Sequence, residues 1–117
     1  MPCVDGFVLA VPRSRLEEYR SFSRKAGEVW RDHGACAFVE CIGDELPRSE
    51  LEALPHALET ADDEVVVYSW IVYDSPEARE KIHAEAMADP RLKDAPPEFP
   101  IDARRLMETG RHALVEV

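Results

Sequence analysis

Two carboxylates stand where carboxylates are costly. Asp5 lies in the apolar run VDGFVLAV and Glu40 in ACAFVECI. Each alternates in phase with apolar neighbours, Cys3 and Phe7 around the first, Phe38 and Ile42 around the second. A carboxylate that faces a core must be paired or line a cavity. Two outcomes stay open. Either residue faces solvent at a strand end or meets an arginine across a dimer, or one of them is a general base or polar ligand contact in a pocket between sheet and helices. His83 lies one turn before Met87 near the edge of a helix's apolar face. It is a packing residue there unless such a pocket exists, in which case it joins Trp70 and Tyr73 as one base and two aromatic walls. The candidate catalytic residues are therefore His83, Glu40 and Asp5, and the candidate ligand-binding residues are Trp70, Tyr73, Met87 and Trp30.

Other reactive residue types fit no site. Cys36 and Cys41 are five apart, so on a strand they point to opposite faces and cannot chelate one ion. A nucleophilic cysteine needs a neighbouring base or positive field, and packing is the simpler role for Cys3, Cys36 and Cys41. Asp62-Asp63-Glu64 lacks the alternating oxygen ligands and glycine of a calcium loop and reads as a solvated charge run. His33, in the last turn of a helix, complements the helix dipole when protonated. There is no G-x-G-x-x-G, no P-loop and no G-x-S-x-G, which removes the usual support for dinucleotide binding, nucleotide hydrolysis or a serine-hydrolase elbow. No metal and no cofactor are expected.

The elements that must position these residues follow from patterning. Residues 4–11 form a strand stopped by Pro12. Ser14 and Glu17 have capping-box spacing, and Leu16, Tyr19, Phe22, Ala26, Val29, Trp30 and His33 make one apolar stripe of a helix ended by Gly34. A second strand covers residues 35–42. Residues 43–64 make a long acidic connection with a short helical turn expected at 49–54, long enough to act as a lid or partner contact. Residues 65–73, VVVYSWIVY, are apolar on both alternating sets, so both faces of this strand want burial. Ser75-Pro76-Glu77 supplies an N-cap, a first-turn proline and an acid for a helix running to about Asp89. Pro96, Pro97 and Pro100 impose an extended loop before a last strand within residues 105–117, where Gly110 marks a bulge.

The order is that of a ferredoxin-like βαββαβ sandwich, an α+β fold with a four-stranded antiparallel sheet. Two helices cover one sheet face. The other face of the third strand then needs cover from outside, most simply a second copy packed sheet to sheet, which predicts a homodimer. The 117 residues suit one domain, 1–117. A net charge of −10 repels phosphate backbones and anionic headgroups, so nucleic acid and membrane surfaces are not expected partners. The first residues lack the basic and apolar regions of a signal peptide, no apolar run approaches the ~20 residues of a membrane span, and three cysteines cannot all pair within one chain. A cytoplasmic location and reduced thiols are the expectation.

The stretches VDGFVLAVP at 4–12, VEC at 39–41, VVVYSWIVYDS at 65–75 and ADPRLKD at 88–94 resemble the YbaA-like family of small bacterial proteins of unknown function. That resemblance covers most of the chain and implies a ferredoxin-like fold and a dimeric α/β barrel, without an agreed activity. The chain departs from the family at Thr109-Gly110-Arg111-His112, where relatives carry a Gly-Gly-aromatic stretch. The wider superfamily includes cofactor-independent monooxygenases, haem-handling proteins, isomerases and ligand-sensing modules, so fold analogy selects no chemistry. Two functions follow as expectations: a dimeric module binding a small, partly apolar molecule between sheet and helices, or a small cofactor-independent oxygenase-like or isomerase-like enzyme using His83, Glu40 or Asp5.

Overall fold

The computed structural model describes residues 2–43, 63–93, 107–109 and 113–117. Strand β1 (Cys3–Pro12) pairs antiparallel with β3 (Glu64–Tyr73) along its whole length, from Cys3 opposite Tyr73 to Pro12 opposite Glu64. Strand β2 (Ala37–Ile42) pairs with the other edge of β3, and β4 (Met107–Thr109) pairs with β1. The sheet order is β2-β3-β1-β4. This is the α+β arrangement with an antiparallel sheet that the element order predicts, although β4 is only three residues long. The expected turn at 49–54 and the bulge at Gly110 lie outside the described residues.

The register sorts side chains onto two faces. Cys3, Asp5, Phe7, Leu9 and Val11 of β1 share a face with Val65, Val67, Ser69, Ile71 and Tyr73 of β3 and with Phe38, Glu40 and Ile42 of β2. Most of the core is here, in two clusters centred on Cys3, Ile71, Tyr73 and Ile82 and on Leu9, Val11, Tyr19, Val65 and Val67. Burying each such aliphatic side chain favours folding by about 1.5–3 kcal/mol before the conformational entropy it costs.

Helix α1 (Leu16–Asp32) buries Tyr19, Ala26, Gly27 and Val29 against this face. Its start differs from the capping-box expectation. Residues Arg13–Arg15 form a 3-10 turn, which puts Arg15 rather than Ser14 at the helix N-cap, and no side chain caps the helix. The turn is tied instead by the Arg13 amide, which donates to the Asp63 carbonyl at 2.7 Å, while Arg15 pairs with Glu18 at 2.8 Å. At the other end Gly34 has φ +116°, the Gly34 amide donates to the Arg31 carbonyl and the Ala35 amide to the Trp30 carbonyl. That is a Schellman ending, and the left-handed residue it needs is the glycine. Gly27 also lets α1 lie close to β2: a Cβ there would stand 2.8 Å from Phe38 Cδ1.

Helix α2 (Pro76–Ala88) begins as expected, with the Ser75 hydroxyl accepting from the Ala78 amide at 3.1 Å and Pro76 in the first turn. A short α3 (Pro90–Lys93) follows directly. No helix among the described residues is long and apolar enough to cross a membrane.

His33 clasps the ends of α1 and α2 together. Its Nδ1 lies 3.2 Å from Glu85 Oε2 and its Nε2 2.9 Å from Asp89 Oδ2, so both ring nitrogens face carboxylates. The Asp89 hydrogen bond, helped by Glu85, raises the imidazole pKa above its ordinary 6.5. Stabilisation by this clasp is therefore complete below pH 6.5 and is lost as pH rises through the higher folded-state pKa. The melting-temperature difference between the wild-type protein and His33→Gln should accordingly be largest just below pH 6.5 and shrink at alkaline pH. An NMR titration of the His33 ring should give a midpoint above 6.5; a midpoint at or below it would contradict the clasp.

Candidate functional site

Between α1, α2 and the helix-covered sheet face lies a cavity of about 360 Å3, within the size range of small-molecule sites. Its floor is the buried sheet: Asp5 and Phe7 from β1, Ser69, Ile71 and Tyr73 from β3, Phe38 and Glu40 from β2. Tyr19, Phe22, Ala26 and Trp30 of α1 make one wall. His83 and Met87 of α2 and Leu92 of α3 line the opposite side, where Met87 is 58% exposed and His83 is also open to solvent.

Of the expected site residues, His83, Glu40, Asp5, Tyr73, Met87 and Trp30 thus line one cavity. Trp70 does not, contrary to its expected grouping with Tyr73. The two are three apart on one strand, so they point to opposite faces; Trp70 sits across from Gly6 and Val39 on the far side of the sheet, 39% exposed. The cysteines are elsewhere too. The Cys36 thiol donates to Asp74 Oδ1 at 3.1 Å, and this hydrogen bond raises its pKa, which disfavours the thiolate a nucleophile needs. Among the described residues, no group of three His, Cys, Asp or Glu side chains is placed to hold a metal ion.

The two carboxylates have different surroundings. Asp5, 4% exposed, takes both oxygens to Arg79 Nε at 2.8 and 2.9 Å and also accepts from the Tyr73 hydroxyl at 3.3 Å. Tyr73 in turn accepts from the Trp30 indole N–H at 3.1 Å. A chain of hydrogen bonds, Trp30 to Tyr73 to Asp5, therefore ends on a guanidinium and joins α1, β3, β1 and α2. Burial, and secondarily the Asp5 charge against the opposing effect of the Trp30 hydrogen bond, pushes the Tyr73 phenol up to about 12, so it stays a donor at neutral pH. An arginine does meet Asp5, but it comes from the same chain. Sequence reasoning missed Arg79, although a signal was present: Arg79, Ile82 and Ala86 fall at the three- and four-residue steps of α2's buried stripe.

Among the described residues, Glu40 is held by hydroxyls only. Tyr19 donates to its Oε2 in a short hydrogen bond and Ser23 to its Oε1 at 2.8 Å. Burial raises the Glu40 pKa, and those two hydrogen bonds to the carboxylate offset part of the rise. Tyr19, buried beside that carboxylate, has its own pKa raised well out of the physiological range. Ser69, 6% exposed, is directly across from Glu40 in the sheet. At the mouth the His83 and Trp30 rings meet edge to face, centroids 6.2 Å apart.

Such an arrangement can enclose an aromatic body, offer hydrogen bonds at its floor and accept a proton at Glu40. Residues 3–103 match the family model described as "Protein of unknown function (DUF1428)". The chain belongs to this DUF1428 family. Proteins similar to it include the uncharacterized protein YbaA of Escherichia coli K12 and its counterpart in Shigella flexneri, each 34% identical over 116 residues that cover 99% of both chains. Among solved structures, the chain is similar in fold to Rv0793 from Mycobacterium tuberculosis (TM-score 0.59, 12% identity, covering 99% of this chain and 98% of that one). It is equally similar to a protein from Bacteroides thetaiotaomicron described as "Putative antibiotic biosynthesis monooxygenase" (TM-score 0.59, 16% identity, covering 97% and 90%). At these identities the structural likeness extends to the fold, and places this DUF1428 chain among ferredoxin-like α+β proteins.

Removing Arg79 leaves Asp5 charged and buried without a counter-ion, which typically costs about 3–5 kcal/mol. Arg79→Met should destabilise the protein by that order in urea unfolding, and the double variant with Asp5→Asn should recover a large part of the loss. Equal stability of Arg79→Met and wild type would show that the pair carries no such role.

Proposed function

We propose that this protein is a homodimeric binding module that takes a small, partly apolar molecule into the cavity between its helices and sheet. The observation that carries the reading is the cavity itself: a space of about 360 Å3 with aromatic walls, a solvent-reaching mouth at His83 and Met87, and a polar floor of Ser69 and Glu40. Aromatic enclosure with a few converging polar groups is the usual build of a small-molecule site. The dimer rests on the opposite sheet face. There Val4, Val8, Tyr68 and Val72 are half-buried, and Val39 and Trp70 are 37% and 39% exposed; only toward the Ala10 and Val66 end is that face buried. Every helix-to-sheet side-chain contact described above falls on the other face, so a second copy packed on Trp70 would remove this apolar surface from water. A cytoplasmic setting suits the three free thiols.

A second reading is favoured by Glu40. A carboxyl whose pKa is raised by burial and which is oriented by Tyr19 and Ser23 is built to exchange a proton with a bound molecule, and the monooxygenase description of the Bacteroides neighbour is compatible with a cofactor-independent oxygenase on this fold. In that case Glu40→Gln abolishes turnover; in a binding module it changes affinity alone.

Native mass spectrometry at low protein concentration tests the main reading. Two chains of 13.2 kDa are expected, together with retained non-protein mass in protein purified without ligand exchange. Trp70→Glu should yield the monomer with unchanged far-UV circular dichroism. A wild-type monomer would overturn the sheet-to-sheet dimer, and failure of every small apolar probe to shift the Trp30 indole resonance would overturn the cavity reading.

A further inference from the structure

Among the described residues the cavity has two carboxyl groups, of which only one meets a cation. Arg79 answers Asp5 at 2.8 Å. Glu40 has hydroxyl donors, Tyr19 and Ser23, and no cationic partner among the described residues. Arg20, which lines the adjoining depression with Glu40, turns outward to Glu17 at 3.5 Å and is 69% exposed. A carboxylate can accept about four hydrogen bonds, so two acceptor positions on Glu40 remain for a ligand. The Ser69 hydroxyl is the second observation. It is 6% exposed, lines the same cavity, and has no hydrogen-bond partner among the described residues. Buried hydroxyls are rarely left unpaired in native proteins. Glu40 and Ser69 are direct cross-strand partners, with Phe7 on the far side of Ser69, so their side chains emerge next to each other on the cavity floor, about 5 Å apart at Cβ.

We infer that the ligand is a small aromatic or alicyclic amine whose ammonium group sits between Glu40 and Ser69, with its hydrocarbon body against Phe7, Phe38, Trp30 and Tyr19. This deepens the cavity-binding reading and rests on it. An ammonium brings only donors, which is what an unneutralised carboxylate and a free serine oxygen accept. Aromatic faces around that point attract a cation through their π-electron density. A neutral alcohol satisfies Ser69 but leaves the half-buried Glu40 carboxylate without a counter-charge; a carboxylic acid adds a second anion beside the first. The net charge of −10 raises the local concentration of cations and lowers that of anions.

The test is a charge series on one scaffold: 2-phenylethylamine, 2-phenylethanol and 3-phenylpropionate, titrated into the full-length protein by NMR with the Trp30 indole N–H as site reporter. The amine should bind about tenfold or more tighter than the alcohol, the ratio expected of a charge-assisted contact in a partly buried site, and the acid should bind weakest. Glu40→Gln should bring the amine down to the alcohol, whereas a purely surface attraction would barely change on losing one of many acidic charges. Ser69→Ala, which leaves the charge untouched, should weaken both amine and alcohol and guards against misfolding of the Glu40 variant. Equal binding of amine and alcohol in the wild type, or an amine preference that survives Glu40→Gln, overturns the amine assignment while leaving the cavity reading standing. If none of the three perturbs Trp30, a neutral or acidic species retained in the native mass spectrum overturns the assignment alone, and absence of any retained species overturns both.

Discussion

A single buried ion pair organises this molecule. Asp5, buried in the middle of the sheet, requires a counter-charge, and the partly buried Arg79 of α2 supplies it, which sets where α2 can dock. Apolar packing of Ile82 and Ala86 would let the helix slide or rotate with modest change in buried area; two short guanidinium-to-carboxylate contacts would not. Because Asp5 also accepts from Tyr73, and Tyr73 from Trp30, the same pair fixes the rotamer of the tyrosine and the tilt of α1's last turns. The position of one charge on β1 thus propagates to both helices that wall the cavity.

That constraint divides labour between two acidic residues that look alike in the sequence. Both interrupt apolar strands in the same phase, and both end on the helix-covered face. Only their neighbours on the helices separate them. Arg79 converts Asp5 into scaffold, while Tyr19 and Ser23 hold Glu40 without neutralising it. The cavity is accordingly polar at one end for structural reasons and at the other with acceptor capacity to spare.

Much of the fold was legible because its signals are local. The two-sided apolarity of VVVYSWIVY marks a central strand, and β3 is flanked by β1 and β2; Ser75-Pro76-Glu77 starts α2 and Gly34 ends α1 where their residue types require. The capping box at Ser14 and Glu17 failed because Pro12 releases the chain into a 3-10 turn, which shifts the N-cap to Arg15, a choice made by the tertiary tie between Arg13 and Asp63 rather than by the tetrapeptide. The site was legible in part. Strand parity brings Asp5, Glu40 and Tyr73 to one face, and the same parity, applied strictly, sends Trp70 to the other. Arg79 is marked in the sequence only by its spacing on α2's stripe and Ser69 by no type signal at all; what distinguishes both is burial, which depends on elements distant in the chain.

The approach of α1 to β2 at Gly27 gives the cavity two jaws of unequal stiffness. On the α1 side the helix backbone presses on the Phe38 ring with no side chain between them, so that wall has no slack to give. On the α2 side the rim is Met87, an unbranched thioether largely in solvent, which can swing aside at small cost. On the proposed binding reading, a guest would be gauged strictly for thickness beneath α1 and leniently for length past α2. Homologous molecules that differ in tail length would then be accepted as a series, whereas those that differ in the girth of the ring would be sorted sharply.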